Sequence, residues 1–380
     1  MIPVCFLVSN DNDSLSLQAD IDKISSWASA WLVNFNPLKS ETLIISRKRN
    51  QLPMPDLTMS NVTIPKVDCH KHLGVCISNN GSWHDHIEYI SKKAWERINI
   101  MRRLKFTLDR KSLEVIYFSF IRPLLEYGDV VWDNCLTTDK VTLDKVQYEA
   151  ARIVSGCTKL VSINSLILEV GWDSLANRRR KHKLVLFFKM VNGLSPPYLN
   201  SLVPDIVGNQ SRYNLRNSDN LTNMATRTLL YHNSFLPSVI KEWNQLPIEV
   251  RTSPSVSAFK SRLNHNKPKS NTLFSYGVRR YQILHSRLRN KCSALKQHLF
   301  SKNLVDSPFC SCGHIESPKH YFFECTLYNN LRVGLLDSVS QFTTPSINIL
   351  LQGDESLSLD NNKAIFGYVH NYIRLSERFE

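Results

Sequence analysis

The sequence predicts an α+β fold, mainly α, on three observations. Apolar residues recur at helical spacing through most of the chain after His86, short β-branched runs are confined to the first eighty residues, and Gly and Pro are few, at 12 and 16 of 380. A hydrophobic content of 42% supplies apolar surface for more than one core, so most of the chain is expected to fold.

The apolar start, Met1 to Val8, reads as a buried strand whose partner is expected upstream, which makes the chain look like part of a longer protein. Asp11-Asn12-Asp13 lies among Ser and Asn and reads as a loop. Ile21, Ile24, Trp27, Ala28 and Trp31 fall on one helical face between Ile21 and Leu32, behind the acidic residues Asp20 and Asp22. Thr42 to Ser46 reads as a short strand. Leu57–Met59 and Val62–Ile64 flank Ser60-Asn61 as a hairpin, and His72 to Ser78 reads as a further strand.

From His86 the period changes. Ile87, Ile90, Ala94, Ile98 and Met101 mark one helix, Leu113 to Leu124 a second, and Leu143, Val146, Ala150 and Ile153 a third. Leu175 to Val191 is again helical, closed by Asn192-Gly193 and Pro196-Pro197, and the polar stretch 209–228 reads as a linker. The expected divisions are an α+β region over 1–82, helical regions over 83–156 and 157–265, a basic region over 266–340, and a tail over 341–380.

Charge narrows the partner class. A formal net charge of +14 favours a polyanion, because each phosphate met by Lys or Arg releases a condensed counterion. RNA and DNA are therefore the expected partners, and no small-molecule substrate is indicated. Nine Cys without a secretory signal argue against a disulfide framework and for an intracellular setting. No run approaches the length of a membrane span. The oligomeric state is not legible.

Two stretches carry the charge. Arg178, Arg179, Arg180 and Lys181 crowd the front of the Leu175–Val191 helix, either as a phosphate grip or as a solvated face. Between Lys260 and Lys302 there are eleven Lys or Arg and no acid, with Phe274, Tyr276 and Tyr281 among them. Arg279, Arg280, Arg287 and Arg289 are the candidates there, since aromatic rings beside guanidinium groups provide base stacking and counterion release together. The alternative is a basic helix over 283–299 whose leucines pack inward.

The sharpest chemical pattern is Cys310-x-Cys312, followed by His320 and Cys325. Three thiolates and an imidazole suit a tetrahedral structural zinc ion, and Gly313 allows a tight turn between the pairs. His314 is a competing ligand, and four buried residues of a small satellite core are the alternative. The other Cys have no ligand spacing and read as core. The chain has no Asp-Asp dipeptide, P-loop, nucleophile elbow or zincin motif, so no independent enzyme is indicated.

Several segments in order resemble one family, the reverse transcriptases of non-LTR (LINE-type) retrotransposons. Ser25-Ser26-Trp27 through Trp31, Asn34-Phe35-Asn36-Pro37-x-Lys39 and Thr42 to Ser46 resemble the palm just after its catalytic Asp-Asp loop, and His72-Leu73-Gly74-Val75 with Trp83 and His86 resembles the primer grip and thumb entry. The resemblance continues through Leu125-Glu126-Tyr127-Gly128, Val146-Gln147, Asn192-Gly193-Leu194, Tyr213-Asn214-Leu215-Arg216 and Trp243-Asn244, and ends in the Cys310 to Cys325 segment. It implies an RNA-directed DNA polymerase with palm remnant (1–82), thumb (83–156), connector (157–265) and zinc knuckle (266–340). Because the catalytic aspartates are absent, no catalytic residue of the polymerase transfers. Lys39, Leu73 and Gly74 carry over as nucleic-acid contacts, and magnesium is implied only if a palm bearing those aspartates is supplied. The expected function is a truncated fragment that binds nucleic acid through thumb and basic region without polymerase catalysis. Two alternatives are part of an active polymerase whose palm is missing from the gene model, and a decayed or repurposed interaction protein.

Overall fold

The computed structural model describes residues 14–33, 35–46, 55–210, 218–264 and 271–380. The Met1–Val8 strand, Asp11-Asn12-Asp13, Asn34 and Tyr213–Arg216 of the sequence reading lie outside those residues. Helices dominate, and the described strands are short and fall between Thr42 and Ser78. No helix among the described residues is long and apolar enough to cross a membrane.

The chain divides into two compact units. The first comprises Met1–Tyr89 with Cys135–Asp139. Here the helix Ser14–Ala30 packs through Leu17 and Ile21 against Leu57, Met59 and Ile64. Gln18 fixes the register, donating to the Thr58 carbonyl at 2.9 Å and accepting from the Thr58 amide at 2.9 Å. Thr58–Met59 and Val62–Thr63 pair antiparallel around Ser60 and Asn61, both with positive φ (51° and 62°), the two-residue turn whose twist suits a hairpin. Thr42–Leu43 pairs parallel with Lys66–Val67.

Two expectations change in this unit. The strand expected over 72–78 is a hairpin, Cys69–His72 against Val75–Ser78, with Leu73 (φ 46°) and Gly74 (φ 89°) at its turn. Trp27 and Trp31, expected to face a core, are 55% and 69% exposed, because the helix buries the Ile21 and Ala28 stripe instead. The unit extends to Tyr89, and the hairpin holds the first turn of the next helix. The Cys76 amide donates to His86 Nδ1 at 3.3 Å, Ser78 Oγ to Asp85 at 2.5 Å, and Lys71 Nζ to the Tyr89 hydroxyl at 2.5 Å.

The second unit is Ile90–Asn134 with Lys140–Glu380, and it is helical. Ile90, Ala94, Ile98 and Met101 are buried at the spacing that the sequence predicts. The helix Arg110–Ile116 widens into a π turn over Tyr117–Ile121 before continuing as Arg122–Glu126. Pro123, which has no amide hydrogen, lies just past the widened turn, where the Arg122 amide reaches back to the Tyr117 carbonyl. The turn stacks Tyr117 on Trp172 at 4.1 Å.

A middle core gathers Leu184, Phe187 and Phe188 of the helix Leu175–Val191 with Val239, Ile240 and Trp243 of Phe235–Asn244 and with Phe259. A C-terminal core gathers Leu288, Leu295, Tyr321, Phe322 and Leu335 around Ile365, Phe366, Val369 and Ile373. Residues 341–380, expected from sequence to be a tail, thus supply the central helix of this core, Leu359–Leu375. The basic helix expected over 283–299 is two helices, Arg279–Arg289 and Lys296–Phe300, with Leu288 and Leu295 turned inward.

Gly156 ends the helix Thr137–Ser155 with φ 77°, and a Cβ there would stand 2.5 Å from Ile283 Cγ1. Gly156→Ala is expected to cost about 2–3 kcal/mol, from backbone strain together with displacement of a packed side chain. A urea melt of variant and parent at neutral pH measures it, and equal midpoints would contradict the packing at this turn.

Candidate metal centre and basic surfaces

The segment from Pro308 is built to bring thiols together. Phe309 bridges Ile315 antiparallel, the Cys310 amide donates to the His314 carbonyl at 2.7 Å, and the Glu316 amide donates to the Pro308 carbonyl at 2.9 Å. Gly313 turns this hairpin at φ 90°, a conformation that L side chains rarely adopt. The other two donors come from a π turn, His320–Glu324, in which the Cys325 amide reaches back to the His320 carbonyl at 2.8 Å. The wide turn brings residues five apart onto one side, which is what the His320 to Cys325 interval requires.

The donor atoms of Cys310, Cys312, His320 and Cys325 all lie within 4.8 Å of one another. Cys325 Sγ is 3.8 Å from both Cys310 Sγ and Cys312 Sγ, and Cys312 Sγ is 3.1 Å from His320 Nε2. These separations exceed the roughly 2.05 Å of a disulfide. They match a tetrahedron with bonds of roughly 2.3 Å to sulfur and 2.0 Å to nitrogen, whose thiolates stand about 3.8 Å apart. His320 presents Nε2 to the set. Its Nδ1 is buried without a hydrogen bond and lies 3.9 Å from Glu324, the kind of carboxylate that orients a ligating imidazole. His314 is exposed and is not one of the four clustered donors, although its Nδ1 lies 3.9 Å from Cys312 Sγ.

The thiols do not titrate alike. The Cys312 thiol is lowered to about 6, first by the His314 backbone amide, while burial pushes Cys325 up to about 12. Crowded thiols resist ionising together, and a divalent cation is the group that would hold them all as thiolates. The residues therefore fit a structural zinc ion.

The Cys310–Cys325 segment is tied into the C-terminal core rather than standing apart. Tyr321 and Phe322 are fully buried, the Tyr372 hydroxyl donates to the Tyr321 carbonyl at 2.7 Å, and Tyr321 Oη lies 2.6 Å from Ser376 Oγ. Buried Glu316 accepts from Arg378 at 2.6 and 2.7 Å and from the Lys296 amide at 2.7 Å.

The basic clusters of the sequence are largely neutralised inside the chain. Arg178 is paired with Glu126 (2.8 Å at Nη2), Arg179 with Asp133 (2.9 Å), Arg180 with Glu242 (3.0 Å) and Lys181 with Asp173 (2.6 Å). Arg179 is 2% exposed, so it is a packing cation and not a phosphate grip. Arg279 and Arg287 close the end of the helix Thr137–Ser155. Arg279 donates to the Ile153 and Val154 carbonyls at 2.7 Å each, and Arg287 Nε donates to the Gly156 carbonyl at 2.8 Å, satisfying acceptors that a helix leaves open. Arg289 is buried against Glu169 at 2.8 and 2.9 Å. Of these four only Arg280 keeps a largely exposed side chain, 3.4 Å from Glu380. Charge density in the sequence thus overstated the free basic surface, because the acids that answer it lie far away along the chain.

Lys39 is exposed at the end of the turn Pro37–Lys39, and Leu73 and Gly74 form the exposed hairpin tip. Exposed cations that the sequence did not single out include Lys92 and Arg103 on the helix His84–Leu104, and Lys291, Lys302 and Lys319 around the knuckle. Lys319 was open to discovery from its place beside His320, whereas the others are fixed by the fold. Cys76, Cys135, Cys157 and Cys292 are buried as expected of core residues, whereas Cys69 is exposed, and Cys5 lies outside the described residues.

No family model matches the chain. It is 22% identical over 165 residues to a probable RNA-directed DNA polymerase from transposon X-element of Drosophila melanogaster, covering 42% of this chain and 18% of that protein. It is 19% identical over 172 residues to a probable RNA-directed DNA polymerase from transposon BS of the same organism, covering 44% of this chain and 19% of that protein. The chain therefore spans about a fifth of the length of the curated relatives it matches. Over about two-fifths of its length the chain is thus similar to transposon RNA-directed DNA polymerases.

Proposed function

We propose that this chain is a nucleic-acid-binding part of a non-LTR-type reverse transcriptase, holding RNA or DNA through its helical region and a zinc-bearing C-terminal region, and performing no polymerase chemistry with its own residues. The observation that carries this reading is the Cys310, Cys312, His320 and Cys325 set at tetrahedral spacing, in a chain of net charge +14 that is similar to RNA-directed DNA polymerases. Lys92 and Arg103 on one helix, and Lys291, Lys302 and Lys319 beside the knuckle, are the phosphate contacts this reading uses, joined by Lys39 and the Leu73-Gly74 tip. The internally paired arginines support those surfaces instead of touching the ligand. Magnesium has no role here without an aspartate pair, which the sequence does not contain.

The test is the salt dependence of single-stranded RNA binding by the purified chain. Affinity is expected to fall linearly on a log–log plot, and each phosphate contact removed from the set Lys92, Arg103 and Lys302 by Gln substitution should flatten the slope by roughly 0.7. Primer extension with magnesium or manganese should yield nothing. Salt-independent binding, or a template-directed product, would overturn the proposal.

A further inference from the structure

Next to the knuckle the second unit opens into a cleft of about 550 Å³, between the helix end at Leu288 to Lys291, the turn Ser317–Lys319 that leads into His320, and the helix Ile347–Gln352. Its volume falls within the roughly 300–1,000 Å³ that small-ligand sites occupy. No acidic side chain lines it. Leu288, Ile347 and Leu351 give it an apolar wall, and its lining cations are Lys291, Lys319 and Arg289, the last held by Glu169.

Some of its polar groups are tied within the chain and others are not. The side chains of Gln297 and Asn348 make no hydrogen bond among the described residues. His298 is 95% buried, with Nδ1 held 2.8 Å from Ser293 Oγ and Nε2 left without a hydrogen bond. Burial holds this imidazole neutral, lowering it to about 4, so it offers an acceptor or donor without charge. Lys319 is paired with Glu324 at 2.9 Å, but both are largely exposed, an arrangement that yields readily to a phosphate. Lys291 stands at φ 54°, just past a helix end, where glycine would be unstrained. The fold thus keeps a cation at a position whose backbone favours none.

We infer that this cleft takes one unpaired nucleotide, with the base against the apolar wall, its edge met by Gln297, His298 and Asn348, and its phosphate on Lys291 and Lys319. An apolar wall, amides and cations, with no acid among the lining residues, are the complement of a nucleotide monophosphate unit. Zinc bound at His320 would fix the backbone that carries Lys319. The inference rests on the nucleic-acid reading above and adds to it a defined base pocket.

The test uses the full chain, a short single-stranded oligonucleotide carrying one 2-aminopurine, and free mononucleotide as competitor. Two variants are compared with the parent. Lys291→Gly removes the charge without adding backbone strain at φ 54°, and Asn348→Trp fills the cleft from an exposed position. The parent should change the 2-aminopurine fluorescence, and each variant should bind about tenfold more weakly, the loss expected for one stacked base or one charged contact. Competition by mononucleotide would assign the cleft to free nucleotides, and its failure to a nucleotide within a strand; both keep the site. Equal affinity and equal fluorescence in parent and variants, with strand binding intact, would overturn the cleft alone. No strand binding by the parent would overturn the proposed function and the cleft with it.

Discussion

Cys325→Ser is expected to abolish stoichiometric zinc binding and to loosen the whole C-terminal core. Sequence reasoning limits the damage to the segment 308–328 and leaves the helices of 83–156 intact, because nothing in the sequence ties the two regions into one core. The fold widens it, since the π turn carrying His320 and Cys325 also carries Tyr321 and Phe322, both fully buried among Leu335, Phe366, Val369 and Tyr372. Zinc coordination by thiolates and imidazole contributes on the order of 10 kcal/mol in small knuckles at neutral pH. Here part of that is expected to appear as stability of the helix Leu359–Leu375, because the turn cannot rearrange without moving the two aromatic rings. The parent should contain about one equivalent of zinc and the variant markedly less. Amide exchange of the Leu359–Leu375 helix should accelerate in the variant and in the chelator-treated parent alike. Equal zinc in both proteins would remove Cys325 from the ligand set, and unchanged protection of that helix would separate the knuckle from the core.

Glu169→Gln is expected to be among the most destabilising single substitutions in the second unit. Glu169 is 3% exposed and accepts from Arg110 at 2.9 Å, Arg289 at 2.8 and 2.9 Å, Asn290 at 2.9 Å and Ser286 at 3.1 Å. Arg110 and Arg289 are themselves nearly inaccessible, so a neutral amide leaves two guanidinium groups buried with one carboxylate too few. Breaking a buried pair in this way costs about 3–5 kcal/mol. The same hub sets an acid limb of stability. Burial alone would raise the carboxyl, but Arg289 and then Arg110 outweigh it and hold it at about 2, below its ordinary 4.5. A depressed folded value means that the contribution is fully present above about 4.5 and is lost as pH falls toward about 2. Denaturant melts across that window should show the parent losing stability more steeply than Glu169→Gln. Parallel pH profiles would show that the hub does not titrate as its geometry requires.

Periodicity located the helices because a helix that buries one stripe repeats its apolar residues at a fixed interval. The Leu175–Val191 helix has the bounds its sequence suggests, and the Ser60-Asn61 hairpin follows from a local turn preference. The Cys310, Cys312, His320 and Cys325 cluster is legible for a related reason: ligand chemistry restricts residue type, and all four donors lie within one short stretch of chain. Leu73-Gly74 was read as strand because its neighbours are β-branched, and only the pairing of Cys69–His72 with Val75–Ser78 makes it a turn.

What the sequence by itself determined is the class of fold, the sign of the charge, the Cys/His set that could hold a metal and the likeness to transposon RNA-directed DNA polymerases. These depend on local spacing or on residue type. The tertiary structure alone decided which cations are free, because Arg178 meets Glu126, Arg279 meets Val154 and Arg289 meets Glu169 across long intervals of chain. It alone decided that the last helix, Leu359–Leu375, is core, and that His298, Lys291 and Asn348 share a cleft. A charge run records how many cations a segment carries, whereas its chemistry depends on the acids and carbonyls that packing brings within about 3 Å, and one-dimensional spacing does not encode those partners.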